Sequence, residues 1–293
     1  MTKIETATLH IVDPHIHLWD LGTGLYPRRA ARGPGKSPMT GDYLLDDLIA
    51  DAGPIEIVKA VHVEASATDG LAEARHVQTM ADAAATGIPQ AIVARADLAG
   101  PDADARLEQL AAIPNVRGIR QMLYRYSEPL PTDYLHDAAW RAGFGLLQRH
   151  GLSFDLQASP RQMAQVARLA CDHPDTGIVL NHLGNIAERS LDMWRTWREG
   201  LRLLAKCENV WIKISGLAMF DAQWTIESLR PYVFEALDAF GTHRAMFASN
   251  FPVDKSGSSY PALWQAFAVI VEALPPDDQA RLLRGNAERF YRI

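Results

Sequence analysis

Two histidines two positions apart, His15 and His17 in the run IVDPHIHLWD, are the first place where this chain can do chemistry. On a strand, residues two apart face the same way, so both imidazoles project into one space. Two nitrogen donors there suit a divalent metal, although an isolated HxH pair also serves packing or capping. His62 and Glu64 in VHVEA share the spacing. His62 sits between valines and reads as a hydrogen-bonded core histidine, whereas Glu64 lies nearer the strand end, where a carboxylate is harder to explain as packing. Arg120 in VRGIRQ, with Tyr124 close behind it, is read as facing substrate, because a guanidinium pairs naturally with a carboxylate or polarised carbonyl. A structural salt bridge is the competing reading. Asp155 in SFDLQ either bonds a neighbouring segment or takes part directly. His182 in VLNHLGN, Lys213 and Ser215 in WIKISG, and Asn250 and Asp254 in ASNFPVD complete the set.

What must position these residues is a series of short β-branched runs. Eight stand out: 9–18, 60–65, 90–98, 116–121, 152–158, 177–182, 210–216 and 244–252. Between them lie segments with apolar residues at three- and four-residue spacing, including 70–87, 101–113, 131–150, 159–173, 193–207 and 225–240. Strand and helix alternating eight times predict parallel strands with helical crossovers, in an α/β fold that is one (β/α)8 TIM barrel over residues 1–293. A doubly wound sheet is the rival architecture. The polar residues named above fall at the ends of the expected strands, where barrels of this type keep their active sites. A long irregular stretch at about 19–41 follows the first strand and carries Arg28 and Arg29.

Composition narrows the chemistry further. With 48% hydrophobic and 22% charged residues, the 293-residue chain is expected to be globular. Its 29 Lys and Arg against 35 Asp and Glu give a charge of −6, which recommends neither nucleic acid nor an anionic membrane as partner. No run of about 18 apolar residues suggests a membrane span. The opening MTKIETATLH lacks an apolar signal core, so a cytoplasmic setting is expected. Cys171 and Cys207 form no CxxC and lie on an expected helix and just before an expected strand, which disfavours a zinc cluster, a disulfide framework or a cysteine nucleophile. A GxSxG elbow, a GxxxxGK[ST] loop and a GxGxxG fingerprint are all missing. Trp194 and Trp197 would suit either a homo-oligomer interface or helix packing.

The runs IVDPHIHLWD, VRGIRQ, NHLGN, WIKISGL, MFASNFPVD and GNAERFYRI, in this order along nearly the whole chain, resemble the amidohydrolase-related TIM-barrel lactonases of the L-fuconolactonase, L-rhamnonolactonase and 2-pyrone-4,6-dicarboxylate lactonase type. The resemblance implies a metal-dependent-hydrolase type of barrel that opens a ring ester with water. His15 and His17 match the family's strand-one histidines, His182 its strand-six histidine and Arg120 its strand-four arginine. In metal-dependent relatives the strand-one pair are ligands; in others the same histidines polarise the carbonyl. One weakly held divalent ion, zinc first, and metal-free catalysis are both left open. Many relatives end strand eight in an aspartate that activates water, and here that residue is Asn250. The base is then Asp254, Glu64 or His182, or else Asn250 orients the water and a bound metal ionises it. Arg120, with Arg28 or Arg29, favours an anionic small-molecule lactone. A decarboxylase of a carboxylated ring and an inactive, ligand-binding barrel are the alternatives.

Overall fold

The computed structural model describes residues 9–31, 39–124, 130 and 132–293. Eight strands form one parallel sheet in chain order. They are β1 (His10–Ile16), β2 (Glu56–Val63), β3 (Ala91–Arg95), β4 (Val116–Arg120), β5 (Ser153–Leu156), β6 (Ile178–Leu180), β7 (Val210–Ile214) and β8 (Ala245–Phe247). Every strand read from the sequence is present. The crossovers are α1 (Leu45–Ala52), α2 (Gly70–Ala83), α3 (Ala103–Ala111), α4 (Ala138–Gly145), α5 (Met163–Asp172), α6 (Leu191–Ala205) and α7 (Ile226–Phe240), and α8 (Tyr260–Ile270) follows β8. This is a (β/α)8 barrel. Among the described residues no helix is long and apolar enough to cross a membrane.

Side-chain alternation splits the apolar residues into two cores. Val12, Val61, Val63, Val93, Val179 and Met246 point into the barrel, where Phe290 and Tyr291 pack against them. Their neighbours Ile11, Ile92, Ile119, Phe154, Ile212 and Phe247 point outward under the helices. Several helices begin on a polar cap: Asp69 accepts from the Leu71 and Ala72 N–H groups, Ser190 from Met193, and Ser259 from Ala262. Trp197 is buried, and Trp194 is half-buried against the same core, which is the helix-packing reading of the pair.

Three expectations need adjustment. The helix expected over 131–150 is only α4, preceded by a turn at Tyr134–His136, because Asp137 accepts from Trp140 N–H and starts the helix there. The stretch at 19–41 holds a turn at Leu21–Thr23 and one helical turn at Pro27–Ala30, while its residues 32–38 lie outside the described residues. The sixth and eighth strands end earlier than expected, at Leu180 and Phe247, because the backbone beyond them turns left-handed, with φ of 53° at His182 and 59° at Asn250.

The barrel closes where β1 meets the segment after β8. Asn250 N–H donates to the His15 carbonyl at 2.9 Å and His17 N–H to the Phe251 carbonyl at 2.8 Å. Asp13 staples the same seam: one oxygen accepts from the His15 and Ser249 N–H groups and the other from the Tyr260 hydroxyl at 2.8 Å.

Candidate active site

At the C-terminal end of the barrel, β1 and β6 bring three buried histidines together. The His15 ring lies 4.9 Å from His17 and 4.5 Å from His182, centroid to centroid. His17 Nδ1 donates to the Val63 carbonyl at 2.7 Å, since an oxygen with no hydrogen must be the acceptor. Its Nε2 therefore keeps a lone pair. The opposite holds for His15, whose Nδ1 faces the Lys213 ammonium at 3.4 Å. An ammonium has only donors, so a neutral His15 carries its proton on Nε2, which is buried without a protein partner.

His182 sits on a run of left-handed residues, His182, Leu183, Gly184 and Asn185, that ends β6 and turns the ring inward. Non-glycine residues hold such backbone angles chiefly where surrounding structure enforces them. Here Trp197 Nε1 donates to the Leu183 carbonyl at 2.6 Å, and Ser215 Oγ stands 2.9 Å from His182 Nδ1. Gly216 makes the room, because a Cβ there would lie 2.9 Å from His182 Cβ.

Burial, then neighbouring cations, pushes all three imidazoles well below the usual histidine range. Lys213 supplies the largest charge effect on His15, and Arg120 on His17 and His182. All three are neutral at pH 7. Lys213 is itself fully buried and paired with Asp155 at 2.5 Å, and Tyr291 donates its hydroxyl to both Asp155 oxygens. Burial lowers the Lys213 pKa, and Asp155 acts against that shift.

Two adjoining cavities of about 410 and 210 Å³ open over this cluster, sharing Glu64, Ser66, Arg120 and Met122 in their walls. The smaller is lined by His17, His182 and Asn250, the larger by Arg28 and Arg95. Arg29 lines the smaller one as well and is held against the Ala65 carbonyl and over the Trp19 ring.

The remaining expected residues separate by position. Arg120 lies between the cavities, but its Nε donates to Glu64 Oε1 at 2.8 Å and its Nη2 to the Glu64 carbonyl at 2.6 Å. Glu64 therefore anchors Arg120, and its second oxygen accepts from Ser66 N–H. Asp254 is buried behind Asn250 and lines neither cavity; it accepts from Asn250 Nδ2 at 2.8 Å and so fixes the amide. Tyr124 is not among the lining residues, and its carbonyl accepts from Gln157. His62 is buried with Nδ1 accepting from Leu18 N–H, as a core histidine would be. The Lys213–Asp155–Tyr291 linkage had no local signal in the sequence, because its partners lie on β5, β7 and the helix Asn286–Tyr291.

These buried carboxyls make stability depend on pH. Burial pushes Asp254 up to about 7 from its ordinary 3.8. Burial, reinforced by the Glu64 charge, pushes Glu73 up to about 8 from 4.5. Above the ordinary values the folded state binds more protons than the unfolded chain, so stability falls with rising pH. The contribution is complete below about pH 4 and lost as the pH rises through about 7 to 8. Denaturation series across this window should show Asp254→Asn with a shallower decline than the parent; an unchanged slope would contradict the assignment.

The donor set does not fit a tightly held metal. Among the described residues no three His, Cys, Asp or Glu side chains are placed to hold an ion. An amide, Asn250, stands just beyond the eighth strand where the family that the sequence resembles often has a carboxylate, and the nearest charges on the histidines are cations.

A family model described as Amidohydrolase matches residues 12–293. An uncharacterized protein of Sinorhizobium fredii is 41% identical, with 98% of this chain and all of that one aligned. An L-fucono-1,5-lactonase of Burkholderia ambifaria is 28% identical, covering 96% of this chain and 95% of its own. The crystal structure of an amidohydrolase from Burkholderia multivorans with bound zinc superposes with a TM-score of 0.82 at 27% identity, covering 98% of this chain and all of that one.

Proposed function

Because the chain belongs to the amidohydrolase family, we propose that it is a hydrolase that opens an anionic lactone. The observation that carries this reading is the cluster of neutral imidazoles beside Arg120 in an arginine-walled trough. It offers proton acceptors to a water molecule and a cation to a developing oxyanion. The similarity to L-fucono-1,5-lactonase supports it.

In this reading the substrate carboxylate lies toward Arg28 and Arg95 in the larger cavity. The ester carbonyl lies toward Arg120, whose Nη1 has only a 3.5 Å contact to Gln157 while Glu64 fixes the rest of the guanidinium. Water donates one hydrogen bond to the Asn250 amide oxygen and the other to the His182 imidazole. His182 takes its proton as the water attacks, and Ser215 fixes the imidazole from behind. The tetrahedral intermediate then expels the ring oxygen, which receives the proton from His182. Glu64 and Asp254 act here as positioning residues for Arg120 and Asn250.

A panel of aldonolactones and pyrone carboxylates, followed by acid release and by carbon dioxide release, tests the proposal. Acid release without carbon dioxide is expected. Carbon dioxide release would make the protein a decarboxylase, and silence on both would leave a binding barrel; either would overturn the lactonase reading.

Asn250 offers a narrower test. Removing one positioned polar group that aids the transition state costs roughly 10²–10³ in rate, so Asn250→Ala should lower kcat/KM by about that factor. It should also cost about 1 kcal/mol of stability, because alanine, unlike asparagine, is penalised in the left-handed region that Asn250 occupies. Activity kept within threefold would make Asn250 a cap for the loop after β8.

A further inference from the structure

We propose that Cys171 and Cys207 form a reversible disulfide, a modification site on the outer wall of the barrel that is independent of the lactonase reading. The two sulfurs stand 3.2 Å apart, one on the last turn of α5 and the other just past the end of α6. That is roughly 1 Å longer than a disulfide bond of about 2.05 Å, a gap that side-chain rotation can close. The two lie 36 positions apart in sequence, so no CxxC-type signal announces the pair. Parallel packing of adjacent crossover helices creates it.

The two thiols are unequal. Cys171 is exposed and Cys207 is buried. Arg168, Asp172 and Lys206 line the same surface cavity of about 540 Å³, through which a small oxidant reaches the exposed Cys171 sulfur. Burial, then the contact with Cys171, pushes the Cys207 thiol up to about 11, so it stays protonated until its partner reacts. The division of labour follows. With hydrogen peroxide as the oxidant, the Cys171 thiolate attacks one peroxide oxygen and the O–O bond breaks. The thiolate is oxidised to a sulfenic acid, and the departing hydroxide takes a proton to become water. Cys207 then attacks the Cys171 sulfur as its own proton leaves, the S–O bond breaks, and a second water departs. Two thiols and one peroxide become one disulfide and two waters.

The bond would close a loop holding β6, His182 and all of α6, so its effect is to tie down the unit that carries the proposed base. Loop closure of this length should raise Tm by on the order of 5–10 °C for a chain of this size.

The test treats the native protein with hydrogen peroxide, quenches free thiols under denaturing conditions, and measures intact mass and peptide linkage. The expected result is the loss of two hydrogens per chain, a peptide joining Cys171 to Cys207, both effects reversed by dithiothreitol, and a higher Tm in the oxidised form. Cys207→Ser should instead accumulate a sulfenic acid at Cys171 that a cyclic diketone traps. Oxygen added at Cys171 in the parent with Cys207 still free, or cross-links between chains only, would overturn the proposal.

Discussion

Replacing His182 with asparagine should lower kcat/KM for the lactone by roughly 10²–10⁴-fold, the contribution of a positioned acid–base group. Asparagine is the informative substitution because it tolerates the φ of 53° found there, whereas alanine would add backbone strain to the loss of the imidazole. The parent enzyme adds a second readout. Burial first, then Arg120 and Lys213, holds the His182 pKa well below the ordinary 6.5. The imidazole is then the unprotonated acceptor throughout the neutral range. The parent's kcat/KM should pass through pH 6.5 without a break and decline only at lower pH. A variant with near-parental activity, or a parental profile that titrates like an exposed histidine, would assign proton transfer to another group.

Asp155→Ala should be the most destabilising single change, costing about 3–5 kcal/mol, because it leaves the buried Lys213 ammonium uncompensated. The same substitution strips the Tyr291 hydroxyl of its acceptor. Part of the loss would be softened by Lys213 giving up its proton, whose pKa burial already lowers. Equilibrium urea unfolding measures the effect directly. Asp155→Leu combined with Lys213→Met should recover most of the stability, since well-packed apolar pairs commonly replace buried ion pairs at little cost. If the single variant loses less than about 1 kcal/mol, water reaches the pair and the barrel floor is not dry.

The barrel was legible because most strands are short β-branched runs and the helices repeat at three to four residues. Both periods are local properties that survive in a single sequence. The histidine cluster was legible for a related reason. His15 and His17 share a strand face by spacing alone, and His182 follows a strand run directly, so the barrel's geometry brings them to one mouth. The roles of Glu64 and Asp254 were not readable. Whether a carboxylate at a strand end faces solvent, a guanidinium or an amide depends on residues far along the chain, here Arg120 and Asn250. The strand boundaries at Leu180 and Phe247 were missed because left-handed backbone at histidine or asparagine is set by tertiary packing, not by propensity. The Cys171–Cys207 approach belongs to the same class of unreadable contact.

The closure at Asp13 has a consequence for how the protein becomes active. Asp13 accepts from Ser249 N–H across 236 residues, and the backbone bonds beside it place His15, His17 and Asn250 on one joint. The proposed catalytic constellation is thus assembled from the most distant parts of the strand order, and bringing such partners together carries a loop-closure entropy. A chain with its seven strand-to-strand ladders formed but its first and last strands still apart would hold nearly all the secondary structure and no working site. Turnover would therefore report on completion of the circle, where spectroscopic helix content does not.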